Sequence, residues 1–78
     1  MIRNTRPITR EDKAIAANLR AARLKSGKTL EEIADAMGMT RAMIRNYERG
    51  KSRIGAGLLV RLAKVLDVAP RAFFKGVR

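Results

Sequence analysis

Apolar residues recur along this chain at intervals of three and four, the spacing that places them on one face of an α-helix. The first such run extends from Arg10 to Lys25 and is followed by Ser26 and Gly27, a pair typical of a helix end. Thr9, with Asp12 three residues later, forms a variant of the capping box that begins helices. The pattern therefore predicts a first helix over this run.

Two shorter runs follow closely. Thr29 opens a predicted helix over Leu30 to Met37, and Gly38 ends it. Thr40 can cap the next helix, which runs from Arg41 to about Glu48 or Arg49. Two helices joined by a short turn that contains a glycine are typical of a helix-turn-helix, in which the first helix supports the second and the second is presented outward.

Two further runs complete the pattern. Leu58 to Leu66 is mostly apolar, so we expect it to form the most buried helix. Pro70, at a first helical position, starts a short fifth helix that extends through Phe74. The sequence thus predicts an all-α fold, a compact bundle of five short helices. We expect residues 1–10 to form a basic N-terminal arm and residues 11–78 to form one domain.

The amino-acid composition excludes several classes of function. The 78 residues include 18 basic and 7 acidic side chains, a formal net charge of +11, with no cysteine and no histidine. We predict that the chain is not an enzyme and binds no cofactor or metal. Without cysteine and histidine it has no thiolate nucleophile, lacks the usual general base and lacks most zinc ligands. The charge favours an anionic partner. No apolar run is long enough to span a membrane and no signal peptide is evident, so we predict a cytoplasmic protein.

Charge is segregated between the second and third predicted helices. Residues 30–37 hold three acids and no base, whereas residues 41–53 hold five bases and one acid, Glu48. A solvated helix surface does not require this segregation, so the pattern favours binding over plain solvation. If Ile44 and Tyr47 face inward, the outer side of the third helix offers arginine and asparagine side chains, which can pair with guanine and adenine in the major groove.

These features resemble the helix-turn-helix domain of the lambda-repressor and Cro-like family, also called the xenobiotic-response-element family. The resemblance is carried by LRAARLKSGKTLEEIADAMGMTRAMIRNYERGK and LVRLAKVLDVAPRAFF, from about Leu19 to Phe74. It implies that the third helix is a DNA recognition helix and that Arg23 and Glu48 form an internal ion pair. The residues expected to contact bases on this helix are Arg41, Ala42, Arg45 and Asn46.

Phosphate contacts are expected around that helix. The polar and basic residues concerned lie at helix starts and in the following loop: Lys28, Thr29, Thr40, Arg49, Lys51, Ser52 and Arg53. The chain departs from the family at Leu30, where many members have a glutamine that touches DNA, so we expect a contact there to come from Lys28, Thr29 or backbone N–H groups. In the arm, Arg3 and Arg6 either reach along DNA or belong to a disordered tail.

The leading hypothesis is a sequence-specific, double-stranded-DNA-binding transcriptional regulator, most simply a homodimeric repressor on a palindromic operator. We expect one of the two phenylalanines to close the core, and the candidate dimer interface comprises Leu58, Phe73, Phe74 and Val77. Two alternatives stay open. In the first, the chain is an antitoxin or accessory regulator whose main partner is another protein, namely a toxin or a co-regulator. In the second, it is a basic protein that binds RNA or binds nucleic acid without sequence preference. The scarcity of aromatic residues disfavours the latter.

Overall fold

The computed structural model describes residues 7–77, which fold as four α-helices and one short 3₁₀ helix. In chain order these elements are α1 (Arg10–Ser26), α2 (Leu30–Met37), α3 (Arg41–Glu48), α4 (Ala56–Leu66) and the 3₁₀ helix (Pro70–Phe74). The predicted all-α class is confirmed. Arg3 and Arg6 of the predicted arm lie outside the described residues.

The predicted count of five helices is slightly off, because the last element is a short 3₁₀ helix. Its first residue, Pro70, has no backbone N–H, and five residues leave little room for the i to i−4 bonds of an α-helix. The predicted start of α4 also shifts, since the helix begins at Ala56 rather than Leu58. Gly55 takes an extended conformation as its N-cap, and its carbonyl accepts from Leu59 N at 3.0 Å.

The turn between α2 and α3 depends on a glycine. Gly38 adopts φ 68° and ψ 32°, a left-handed conformation in which a side chain is strained. The next amide, Met39 N–H, donates to the Ala34 carbonyl at 2.9 Å and satisfies an otherwise unpaired group at the end of α2. From α4, Arg61 donates to the Met37 carbonyl at 3.1 Å. The first bond orders the turn against α2, and the second ties α4 to the end of α2.

The core is formed by side chains from every helix. Its largest fully buried residues are Leu19, Ile33, Ile44, Leu62 and Phe73. The Asn18 side chain of α1 donates to the carbonyls of Phe73 and Lys75, both at 2.8 Å, and so fastens the 3₁₀ helix against α1. With its inner side anchored by Ile44, α3 exposes its outer side.

Candidate nucleic-acid interface

The outer side of α3 is an exposed, largely basic surface. The helix begins after Thr40, whose hydroxyl accepts from Met43 N at 3.1 Å. Its inner side is closed by Ile44, which has no exposed surface, and by Glu48, which is 8% exposed. The predicted base-contacting residues that are exposed are Arg41, Ala42 and Asn46, whereas Arg45 is half-buried. The structure therefore places all four predicted residues beside one another, clear of the core.

Met43 also lies on the exposed part of α3, and the sequence analysis did not single it out. Met43 is 42% exposed, an exposure similar to those of Val60 and Phe74. The helical pattern gave no clear signal of this exposure, because Met43 lies four residues before Tyr47, at the edge of the apolar side.

The acid of α3 is paired inward with an arginine of α1. Arg23 Nε donates to Glu48 Oε2 at 2.7 Å, and Arg23 Nη2 donates to Glu48 Oε1 at 3.1 Å. A third bond runs from Arg23 Nη1 to the Lys28 carbonyl at 3.0 Å. The two side chains are only 11% and 4% exposed. This bidentate pair neutralises the one acid of α3 and ties α1 to α3, while the bond to the Lys28 carbonyl ties α1 to the segment before α2.

An open groove of about 590 Å³ lies between the end of α1 and the starts of α2 and α3. Its lining residues are Arg23, Leu24, Gly27, Lys28, Thr29, Leu30, Glu31, Arg41 and Arg45. The groove thus brings two predicted phosphate contacts, Lys28 and Thr29, next to two predicted base contacts, Arg41 and Arg45. It also contains an acid, Glu31, on the α2 side.

The start of α2 satisfies its own polar groups. Thr29 N–H donates to Glu32 Oε1 at 2.8 Å, and Glu32 N–H donates to Thr29 Oγ1 at 3.1 Å. The hydrogen bond from the Thr29 backbone is the main cause that holds the pKa of Glu32 below its ordinary value, with the Thr29 side chain second. Of the groups predicted to contact phosphate here, Thr29 N–H is already occupied.

A second, smaller groove of about 190 Å³ lies between α1 and α3. The residues that line it are Arg20, Arg23, Leu30, Arg45, Glu48 and Arg49. The predicted phosphate contact Arg49 is therefore adjacent to Arg20, an exposed residue that the sequence analysis missed. The available signal was that Arg20 lies three residues before Arg23, which places both on neighbouring parts of α1.

The loop after α3 divides the remaining predicted phosphate contacts. Lys51 and Ser52 are exposed, and Lys51 N–H donates to the Asn46 carbonyl at 3.0 Å. Arg53 instead turns toward the start of α1, where its Nε donates to Asp12 Oδ2 at 3.2 Å. The pKa of Asp12 is lowered chiefly by hydrogen bonds from Thr9, with Arg53 a smaller cause. The structure thus pairs Arg53 with an acid instead of grouping it with the arginines of α3.

The residues predicted for a dimer interface differ in exposure. Phe73 has no exposed surface, so it closes the core, and its assignment to a surface interface is wrong for the folded monomer. Its neighbour Phe74 is 46% exposed. Leu58 and Val77 are half-buried. Of the two adjacent phenylalanines, Phe74 alone is available to a second copy.

Two other classes of site are missing from residues 7–77. No helix in this part of the chain combines the length and the apolar character needed to cross a membrane. The same residues contain no group of three or more acidic, histidine or cysteine side chains arranged to hold a metal ion.

Comparison with known proteins identifies related sequences. A family model described as helix-turn-helix matches residues 19–73. An uncharacterised HTH-type transcriptional regulator of Sinorhizobium medicae is 29% identical over 75 residues, which are 96% of this chain and 54% of that relative. Another, y4wC of Sinorhizobium fredii, is 31% identical over 64 residues, which are 82% of this chain and 45% of that relative. The chain spans about half the length of these curated relatives.

Solved structures share the fold. The restriction-modification controller protein C.AhdI from Aeromonas hydrophila aligns with a TM-score of 0.74 at 29% identity, over 80% of this chain and 94% of that one. The clp gene regulator ClgR from C. glutamicum aligns with a TM-score of 0.79 at 26% identity, over 83% of this chain and 84% of that one. The arrangement of helices described above is therefore common to this chain, a controller protein and a gene regulator.

Proposed function

Because this chain belongs to the helix-turn-helix family of transcriptional regulators, a non-enzymatic class of DNA-binding proteins, we propose that it binds double-stranded DNA sequence-specifically through α3. In this proposal the outer side of α3 enters the major groove. Arg41 and Arg45 pair with guanine O6 and N7, Asn46 pairs with adenine N6 and N7, and Ala42 contacts a thymine methyl group.

One observation carries the proposal, namely that α3 presents basic and amide side chains outward while its single acid is held inward. A carboxylate facing DNA repels phosphate, but Glu48 is bound by Arg23 at 2.7 Å and is nearly inaccessible. A merely solvated helix has no need to bury its acid and expose its bases. Lys28 at the groove beside α2, and Arg49, Lys51 and Ser52 at the end of α3, contact phosphates on either side of the bases.

We propose further that the protein acts as a homodimeric repressor on a palindromic operator. Two copies of α3, one helical turn of DNA apart at about 34 Å, read half-sites whose centres are about 10 bp apart. Phe74 supports an interface at the 3₁₀ helix, since it is 46% exposed beside the half-buried Val77. Repression follows if the occupied operator overlaps a promoter.

Selection from a pool of randomised DNA duplexes tests the binding proposal, and analytical sedimentation of the same protein–DNA mixture tests the dimer. We expect an enriched motif with two-fold symmetry and a complex that contains two protein chains per duplex. Enrichment of an asymmetric motif by a single chain would remove the dimer and the palindrome but leave specific DNA binding in place. If no motif is enriched over the starting pool, α3 does not read bases.

A further inference from the structure

The smaller groove between α1 and α3 gathers basic side chains from two helices that are distant in sequence. Arg20 is contributed by α1, and Arg45 and Arg49 are contributed by α3. On α3 the spacing of four places Arg45 and Arg49 on neighbouring parts of the helix surface. Packing of α1 against α3 is therefore what brings the three guanidinium groups to one groove of about 190 Å³.

Among residues 7–77, no carboxylate forms an ion pair with any of these three groups. The one acid that lines the groove is Glu48, and both of its oxygens are already bound by Arg23. The other ion pair found in residues 7–77 joins Arg53 to Asp12, at the opposite end of α1 from Arg23. Like charges gathered without an acid between them repel one another, and an anion bound in the groove relieves that repulsion.

We propose that this groove is a second phosphate-binding site, in which Arg20 binds a phosphodiester of the DNA backbone together with Arg49. The inference rests on the proposed DNA binding and extends the contact from α3 onto α1. At the start of α2, this chain has Leu30 where many family members have a glutamine that touches DNA. A contact to the DNA backbone from α1 would take the place of that missing contact. At the start of α2 the Thr29 N–H is used by Glu32, and Glu31 adds a negative charge, so the α1 side is the more favourable place for a phosphate.

The position of Arg20 provides a matched control. Asn18 holds the 3₁₀ helix, and Arg20 lies two residues further along α1, a rotation of about 200° that points it to the other side of the helix. Lys64 is an exposed base of α4 that lines neither groove of the candidate interface. Lys64→Ala therefore removes one positive charge, as Arg20→Ala does, without changing the groove.

The test is the salt dependence of binding to a DNA duplex, measured by fluorescence anisotropy for the wild type, Arg20→Ala, Arg20→Lys and Lys64→Ala. Loss of one phosphate contact lowers the slope of log K against log salt by about 0.9 and weakens binding about fivefold at ~0.15 M salt. We expect this change for Arg20→Ala, to the same extent on a selected and a scrambled duplex. Arg20→Lys and Lys64→Ala should both retain the wild-type slope, because each leaves a cation at residue 20.

An equal slope for Arg20→Ala and Lys64→Ala, in variants whose melting temperatures match the wild type, overturns the phosphate site and leaves the proposed function standing. Wild-type protein that fails to bind any duplex contradicts the proposed function itself. A separate titration adds inorganic phosphate to the protein–DNA complex at constant ionic strength. Displacement of DNA that is weaker for Arg20→Ala than for the wild type would support the groove, because it shows that the two anions compete for it.

Discussion

The two helices of the helix-turn-helix motif, α2 and α3, are equal in length and yet differ in almost everything that faces solvent. Both have eight residues and both begin after a threonine whose hydroxyl caps the third helical amide. The first turn of α2 contains Glu31 and Glu32, whereas the first turn of α3 contains no acid. The comparison indicates that a common local fold has been adapted to two roles, support by α2 and contact by α3.

The difference begins at the third residue of each helix. In α2 that residue is Glu32, whose carboxylate accepts from Thr29 N–H and so completes a capping box. In α3 it is Met43, which has no group to return a hydrogen bond to Thr40 N–H. The start of α2 is thus closed by its own side chain. The start of α3 keeps an amide donor and a positive dipole end for an anion.

The largest expected effect concerns the acids of the two helices. Glu48→Gln leaves the buried Arg23 guanidinium without its anion, so we expect a loss of about 3 kcal/mol in the free energy of unfolding. Glu31→Gln removes an exposed acid and should change that free energy by less than about 0.5 kcal/mol. Urea denaturation of the two variants measures both. Equal stabilities would show that the ion pair is no more than a surface contact.

The next prediction separates base contacts from phosphate contacts on the proposed interface. Arg41→Ala should cost about 1–3 kcal/mol on the selected duplex and much less on a scrambled one, because it removes a bidentate base contact. Lys51→Ala should weaken binding to both duplexes alike. Competition binding at fixed salt measures the two ratios. If both variants lower affinity for both duplexes by the same factor, the assignment of Arg41 to a base is wrong.

Removal of the two capping hydroxyls compares the starts of α2 and α3 directly. Thr29→Ala and Thr40→Ala should each lower the free energy of unfolding by about 1 kcal/mol, since each leaves one first-turn amide unpaired. Only Thr40→Ala should also weaken DNA binding, because Thr40 lies at the contacting end of α3. Thermal unfolding and duplex binding are measured on the same samples. A loss of affinity in Thr29→Ala that exceeds that of Thr40→Ala would reverse the roles given to α2 and α3.

The smallest effect is a dependence of stability on acid pH. Folding lowers the pKa of Glu32 from its ordinary value of 4.5, so its contribution to stability is complete above that pH and is lost as the pH falls through the folded-state pKa. Asp12 behaves in the same way from an ordinary value of 3.8. We expect the melting temperature of the wild type to fall on acidification below about pH 4.5, and less steeply in Glu32→Gln. Parallel curves for the two proteins would show that Glu32 gains no stabilising bond on folding.

The sequence predicted most of the helix-turn-helix because its signals are local. Thr29 and Gly38 mark the two ends of α2. Thr40 marks the start of α3, and Ile44 defines its inner side. The pairing of Arg23 with Glu48 joins residues distant in sequence. It was available only through the resemblance to a family.

The rest of the site depends on packing between helices, which no local pattern specifies. Arg20 reaches the groove beside Arg49 because α1 crosses near α3, and this crossing was not contained in the spacing of either helix. Arg53 was grouped with the phosphate contacts by sequence proximity, but the path of the loop brings it to Asp12. Phe73 and Phe74 looked equivalent in sequence. The single turn of 3₁₀ helix buries one and exposes the other.

Chemical-shift mapping by NMR tests most directly whether α3 is the element that reads DNA. Isotope-labelled protein is titrated with the selected duplex and, separately, with a scrambled duplex. We expect the amides of residues 40–49 to shift most, and those on the outer side of α3 to distinguish the two duplexes. Shifts that centre on the 3₁₀ helix and α4, with α3 unchanged, would contradict this expectation.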